Sequence, residues 1–125
     1  MHRSRLAAIG IDVPADLFDT TAAFWAGALG REPSREPPDD PYIDLGRHGG
    51  QQVFVQLIGE PSRRLHLDIE TDDVEAEVAR LEQLGATKVT FIEDGWWIMR
   101  DPAGNLFCVL PAIHPDFPAG AAEWS

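Results

Sequence analysis

Polar and apolar positions alternate first over residues 6–13. Ile9, Ile11 and Val13 point one way, with Gly10 and Asp12 between them, as in a half-buried strand. Pro14 ends the run. Asp19 or Thr20 is expected to cap a helix whose apolar face is Phe24, Trp25, Ala28 and Leu29, with Gly30 as its stop. Residues 31–41 hold Pro33, Pro37, Pro38 and Pro41. Proline cannot donate to a ladder, so the segment reads as a surface loop or a weak edge strand, with a flap over a pocket as the functional alternative. Residues 42–45 and 52–58 read as strands joined by a turn at 46–50. A linker at 60–64 leads to Leu65-His66-Leu67-Asp68-Ile69, which alternates cleanly. Asp72 and Glu75 have capping-box spacing. Val74, Val78 and Leu81 form the stripe of a second helix, stopped at Gly85, and a strand follows over 86–92.

The stretch 95–110, GWWIMRDPAGNLFCVL, is predicted to be a hairpin. Its arms are rich in aromatic and β-branched residues. Between them, Pro102 presets one dihedral, Gly104 supplies positive φ, and Asp101 and Asn105 bond to local backbone. The expected core between sheet and second helix is Leu65, Leu67, Ile69, Val74, Val78, Leu81, Phe107 and Val109. The tail, 112–125, carries no strong periodicity and is expected on the surface, with Trp124 either docked or frayed.

These elements repeat. The same offset separates Leu29-Gly30 from Leu84-Gly85 and Gly49 from Gly104, and the offset from Gly10 to His66 is one residue longer. A strand-helix-strand-strand-strand module therefore occurs twice, with one extra residue in the first copy near 14–16.

Charge and cysteine content narrow the partners. Ten Lys and Arg stand against 21 Asp and Glu, a net charge of −11 on 125 residues. An acidic surface repels phosphate, so neither nucleic acid nor an anionic membrane is expected as a partner. Asp12 interrupts the apolar run at the start and no small-residue cleavage site follows, so no signal peptide is read there. No apolar run is long enough to cross a bilayer. Cys108 is the single cysteine, which fits a reducing cytoplasm.

In this order, Ala23-Phe24-Trp25 with Leu29-Gly30, Arg64-Leu65-His66-Leu67-Asp68, Leu84-Gly85-Ala86 and Asp101-Pro102-Ala103-Gly104-Asn105-Leu106-Phe107-Cys108 resemble the vicinal oxygen chelate superfamily. That superfamily contains glyoxalase I, bleomycin-resistance proteins and extradiol dioxygenases. The likeness is greatest to the glyoxalase-like domain group and covers roughly residues 6–110. It implies one α+β domain over 1–125: two βαβββ modules, at about 6–59 and 64–111, forming curled mixed sheets around a cavity. It also implies a homodimer, since small members often pair to complete that cavity.

Metal-dependent members draw ligands from four positions, which fall here at Gly10, near Val53, at His66 and at Cys108. Of these only His66 is a standard ligand, and His plus Cys falls short of the three protein ligands of a catalytic zinc. No metal or other cofactor is expected. His66 reads either as a structural group bonded to a neighbour such as Asp68 or as a ligand contact. Cys108 reads as an apolar filler. Trp96 and Trp97 face opposite ways, so one is core and the other can wall a cavity. Arg100 pairs either with a ligand anion or with a surface carboxylate. The expected ligand pocket is His66, Asp68, Trp96 or Trp97, Arg100 and Cys108. The expected function is binding of a small organic molecule. The alternatives are a metal-dependent lyase, isomerase or dioxygenase, a metal-free enzyme using His66 as acid/base, and a structural or regulatory domain with a vestigial cavity.

Overall fold

The computed structural model describes residues 1–61 and 64–125; the expected linker at 60–64 lies partly outside them. The described chain is α+β, with eight strands, a 3-10 turn and two α-helices. In order they are β1 (His2–Val13), the turn Ala15–Leu17, α1 (Phe18–Leu29), β2 (Tyr42–His48), β3 (Gln51–Leu57), β4 (Arg64–Thr71), α2 (Val74–Gln83), β5 (Thr87–Ile92), β6 (Trp96–Arg100), β7 (Leu106–Pro111) and β8 (Ala122–Trp124). No helix among the described residues is long and apolar enough to cross a membrane. The chain forms two compact units, Ala8–His66 and Met1–Ala7 with Leu67–Ser125.

In the Ala8–His66 unit, β1 pairs parallel with β3, and β3 antiparallel with β2. The register sets Gly10 opposite Phe54 and Asp12 opposite Gln56. Alternation then sorts the side chains. Val13, Val55, Ile43 and Leu45 pack on Phe18, Ala22 and Ala26 of α1, with Ile11, Val53 and Leu57 at the margin. Gly10, Asp12, Phe54 and Gln56 fall on the other face. The β2–β3 turn uses Gly49 and Gly50, at φ 61° and 94°, the positive values that two-residue hairpins require.

Three local expectations change here. The helix begins at Phe18, after Leu17, with no side-chain cap from Asp19 or Thr20; the preceding 3-10 turn delivers the chain already wound. Its buried face is Phe18, Ala22 and Ala26, spaced one turn apart. Phe24 and Trp25, expected on that face, are 65% and 37% exposed and stack edge-on against each other. The proline-rich segment contributes only an isolated bridge, Ser34 with Asp44, so the first module has one full strand fewer than βαβββ.

In the other unit, β7 pairs parallel with β4 and antiparallel with β6, and β6 pairs with β5. The start of β1 carries β8. Val78, Met99 and Val109 are the core, with Val74, Leu81, Ala86, Trp97 and Phe107 packed around them. The α2 cap is Asp73, whose side chain accepts from the Ala76 amide. The expected cap, Asp72, instead accepts from the Arg3 amide. Leu67 lies on the Phe107 side of the sheet as expected, but it is 46% exposed and Leu65 64%. The ten-residue α2 packs over Met99 and Val109. The tail is ordered by contacts that its sequence does not announce. Trp124 donates to Ser4 Oγ at 2.9 Å, and Arg80 stacks over its ring at 3.8 Å.

Two wholly buried carboxylates hold the segment 2–5 in this unit. Glu77 on α2 accepts from His2 Nε2 at 2.8 Å and from both arms of Arg80 at 2.8 and 2.9 Å. Glu70 on β4 accepts from Arg5 Nε at 2.8 Å, from the Ile113 and His114 amides at 2.8 and 3.1 Å, and from His114 Nδ1 at 2.9 Å. Burial pushes both carboxyls up, but these donors outweigh it and hold both below the usual glutamate range.

Candidate functional site

The first strand of the Ala8–His66 unit brings chemistry to the face away from α1. Asp12 is a carboxylate in an apolar run, and it is only 3% exposed. Burying such a group requires partners. His66 Nδ1 bonds its carboxylate at 2.9 Å, and Arg64 Nε lies 3.2 Å away. Arg64 also pairs with Glu60 at 2.8 Å. A carboxylate accepting at Nδ1 favours the Nδ1–H tautomer of the neutral ring.

The imidazole lies over Gly10. A Cβ built on Gly10 would sit 2.3 Å from His66 Cε1, 2.6 Å from Nε2 and 2.8 Å from Phe54 Cζ, closer than real atoms pack. Glycine is needed at position 10 to leave this space, and the ring fills it. Phe54 meets the imidazole edge-on at 5.6 Å between centroids, and Tyr42 meets Phe54 at 5.8 Å. The three rings make an aromatic row ending at the Asp12–His66 pair. Gln52 donates to Asp44 at 3.1 Å on the same side.

Of the expected pocket residues, His66 lies in this unit and the others lie in the second. There, Asp68 faces Cys108 across β4 and β7, and Ile98 faces Cys108 across β6 and β7. Cys108 forms no disulfide. Trp97 packs on the α2 core, beside Phe91 at 5.2 Å and under Lys88 at 4.9 Å, so alternation gives Trp96 to the opposite face, with Ile98 and Cys108. Arg100 Nη1 donates to the Gly104 carbonyl at 3.3 Å, across its own turn. Sequence reasoning missed Asp12, Arg64, Phe54 and Tyr42. The available signal was the alternation that turned Gly10 and Asp12 away from Ile9, Ile11 and Val13. A shallow pocket of about 490 Å³ lies elsewhere, at the end of α1 beside Gly27, Gly30 and Arg31.

The donor set decides what these positions could hold. Position 10 has no side chain, and Val53 packs toward α1. The residue of β3 that meets His66 is Phe54, which has no donor atom. Among the described residues no three His, Cys, Asp or Glu side chains form a group able to hold a metal. His66 alone among these positions falls short of the three protein ligands a catalytic zinc takes.

The sequence profile of the glyoxalase-like domain matches residues 8–110. The chain belongs to this family. No curated protein matches it in sequence. The glyoxalase-like domain is similar in structure to 2,2',3-trihydroxybiphenyl 1,2-dioxygenase from Sphingomonas wittichii strain RW1, with TM-score 0.63 and 15% identity over 94% of this chain. It spans 44% of that enzyme. A glyoxalase/bleomycin resistance protein/dioxygenase superfamily member from Vibrio splendidus 12B01 aligns with TM-score 0.55 and 18% identity, over 85% of this chain and 97% of its own. Methylmalonyl-CoA epimerase from Streptomyces coelicolor aligns with TM-score 0.51 and 18% identity, over 87% and 98%. At these identities the likeness is one of fold, and it is the glyoxalase/bleomycin-resistance fold of the vicinal oxygen chelate superfamily.

Proposed function

We propose that this glyoxalase-like domain binds a small organic molecule, without metal catalysis, on the His66 face of the Ala8–His66 unit. The observation that carries the reading is the His66 ring lying where a side chain at position 10 would be, with Phe54 closing the space beside it. Aromatic side chains next to a few fixed polar groups are the usual composition of a ligand site. Native mass spectrometry with elemental analysis of untagged protein tests the metal-free part. Substoichiometric metal is expected. Stoichiometric zinc, iron or nickel, lost in His66→Ala, would overturn the reading in favour of a metal enzyme.

The domain is further proposed to act as a cytoplasmic homodimer. The single cysteine, Cys108, suits a reducing compartment. β5 is an edge strand whose Val89 and Phe91 are 44% and 46% exposed, and such edges are normally covered or charged. Sedimentation at micromolar concentration is expected to show a dimer; monomer alone would refute this.

A further inference from the structure

We infer that the pocket at the C-terminal end of α1 is a second ligand site, for a small zwitterion of the α-amino acid type. It shares no residue with the His66 face and stands independently of the binding reading above. The pocket, about 490 Å³, is lined by Ala23, Ala26, Gly27 and Gly30 at the helix end and by Arg31 and Glu32 just past it. Volumes of about 300–1,000 Å³ are usual for small-molecule sites. Gly27 is the telling residue. It lies inside α1, where glycine is the poorest helix former after proline. Gly30 ends the helix at φ 68° and so has a structural reason to be glycine. Gly27 has none of this kind: its φ is not positive, and a Cβ there would meet nothing within 4 Å. Glycine at 27 instead leaves open space above an exposed stretch of helix backbone, and that space belongs to the pocket. Bare backbone beside open space allows a ligand to approach closely.

Arg31 and Glu32 set the chemistry. Arg31 Nη2 donates to the Arg47 carbonyl at 3.0 Å, a neutral acceptor, and the guanidinium makes no ion pair among the described residues. Acidic side chains outnumber basic ones 21 to 10, yet none of those described takes this cation. A guanidinium presents a planar fork that matches a carboxylate. Glu32 likewise makes no ion pair among the described residues. The pocket also opens at the end of α1, where the helix dipole is negative. Both features favour a positive group. One ligand then carries a carboxylate for Arg31 and an ammonium for Glu32 and the helix end. Its net charge is zero, so the field of a chain at −11 does not repel it as it would a simple anion. Ala23 and Ala26 leave a small apolar surface for a short side chain.

The probe is L-valine, titrated into the full ¹⁵N-labelled chain and followed by amide NMR shifts. Saturable shifts are expected at Gly27, Gly30, Arg31 and Glu32. Gly27→Ala puts a methyl group into the pocket and should abolish them. Its thermal unfolding midpoint should stay the same or rise, since alanine is the better helix former. That pairing separates a binding glycine from a structural one. Arg31→Gln should weaken binding about tenfold or more, the loss of a charge-assisted bond. 3-Methylbutanoate lacks the ammonium and 2-methylpropylamine lacks the carboxylate, and each should bind more weakly than valine. Unaltered valine binding in Gly27→Ala, or a lowered midpoint in that variant, would overturn the site. Absence of shifts, or shifts confined to Tyr42, Phe54 and His66, would overturn it too, the latter in favour of the His66 face. Binding of either analogue as tight as that of valine would overturn the zwitterion.

Discussion

Glu70→Ala and Glu77→Ala are each expected to destabilise the protein by about 3–5 kcal/mol, the cost of removing one partner from a buried charge cluster. That is a large part of the 5–15 kcal/mol, roughly, that holds a domain together. The two carboxylates are wholly buried, and each has several donors aimed at it. Without Glu70, Arg5, with its side chain 10% exposed, keeps Asp116, the Ala119 carbonyl and the Phe117 ring. The Ile113 and His114 amides lose their acceptor as well. Without Glu77, His2 loses its partner, and Arg80, stacked on Trp124, loses its carboxylate. Urea unfolding monitored by circular dichroism measures the loss. Glu123→Ala is the control. Its 3.4 Å pair with Arg3 is exposed, and such pairs contribute about 0–1 kcal/mol.

The pH dependence follows from the same groups. Both carboxyls titrate below the ordinary 4.5 in the folded protein. A carboxyl lowered on folding contributes stability that is present above its unfolded value and lost as pH falls through its folded value. The clusters therefore hold through neutral and mildly acidic pH and fail below the ordinary carboxylate range. Glu70→Gln and Glu77→Gln are expected to flatten that acid limb. An acid limb as steep as that of the unaltered protein in both variants would show that other carboxylates control acid unfolding.

What the sequence made legible was local. Asp101 accepts from the Ala103 and Asn105 amides and from the Asn105 side chain, and Gly104 sits at φ 92°. These hydrogen bonds all lie within five residues, so composition alone could place the turn. Gly30, at φ 68°, likewise ends α1 where expected. The clusters around Glu70 and Glu77 join residues far apart in the chain, and no local pattern pairs His2 with Glu77 or Arg5 with Glu70. A hint existed in α2, where Glu77 falls between Val74 and Val78 near the buried stripe, a costly place for a lone charge. The candidate site divides the same way. His66 stood out as a histidine between leucines, and alternation set Gly10 and Asp12 on one face. Only the β1–β3 register brings Phe54 to Gly10, and only the tertiary fold brings His66 to Asp12.

Gly10→Ala is expected to cost about 1–3 kcal/mol, the usual range for overpacking, and to dislodge His66 from Asp12. The new methyl carbon would start 2.3 Å from one imidazole atom and 2.8 Å from the Phe54 ring. The backbone at this residue does not need positive φ, so alanine causes no dihedral strain and the whole penalty is steric. Both obstructing atoms belong to side chains, so the rings can swing aside. The imidazole can do so only by stretching its 2.9 Å bond to Asp12. That leaves a buried carboxylate dependent on Arg64, whose side chain is 39% exposed, and a carboxylate short of donors in such a place is costly. A double-mutant cycle separates this from a general packing defect. In a His66→Ala background the imidazole is gone, and Gly10→Ala should cost less than it does in the parent, the remainder being the contact with Phe54. The His66 ¹⁵N shifts of the single variant should also lose the Nδ1–H signature. Equal costs in the two backgrounds, with the tautomer unchanged, would show that the ring does not depend on the space glycine leaves.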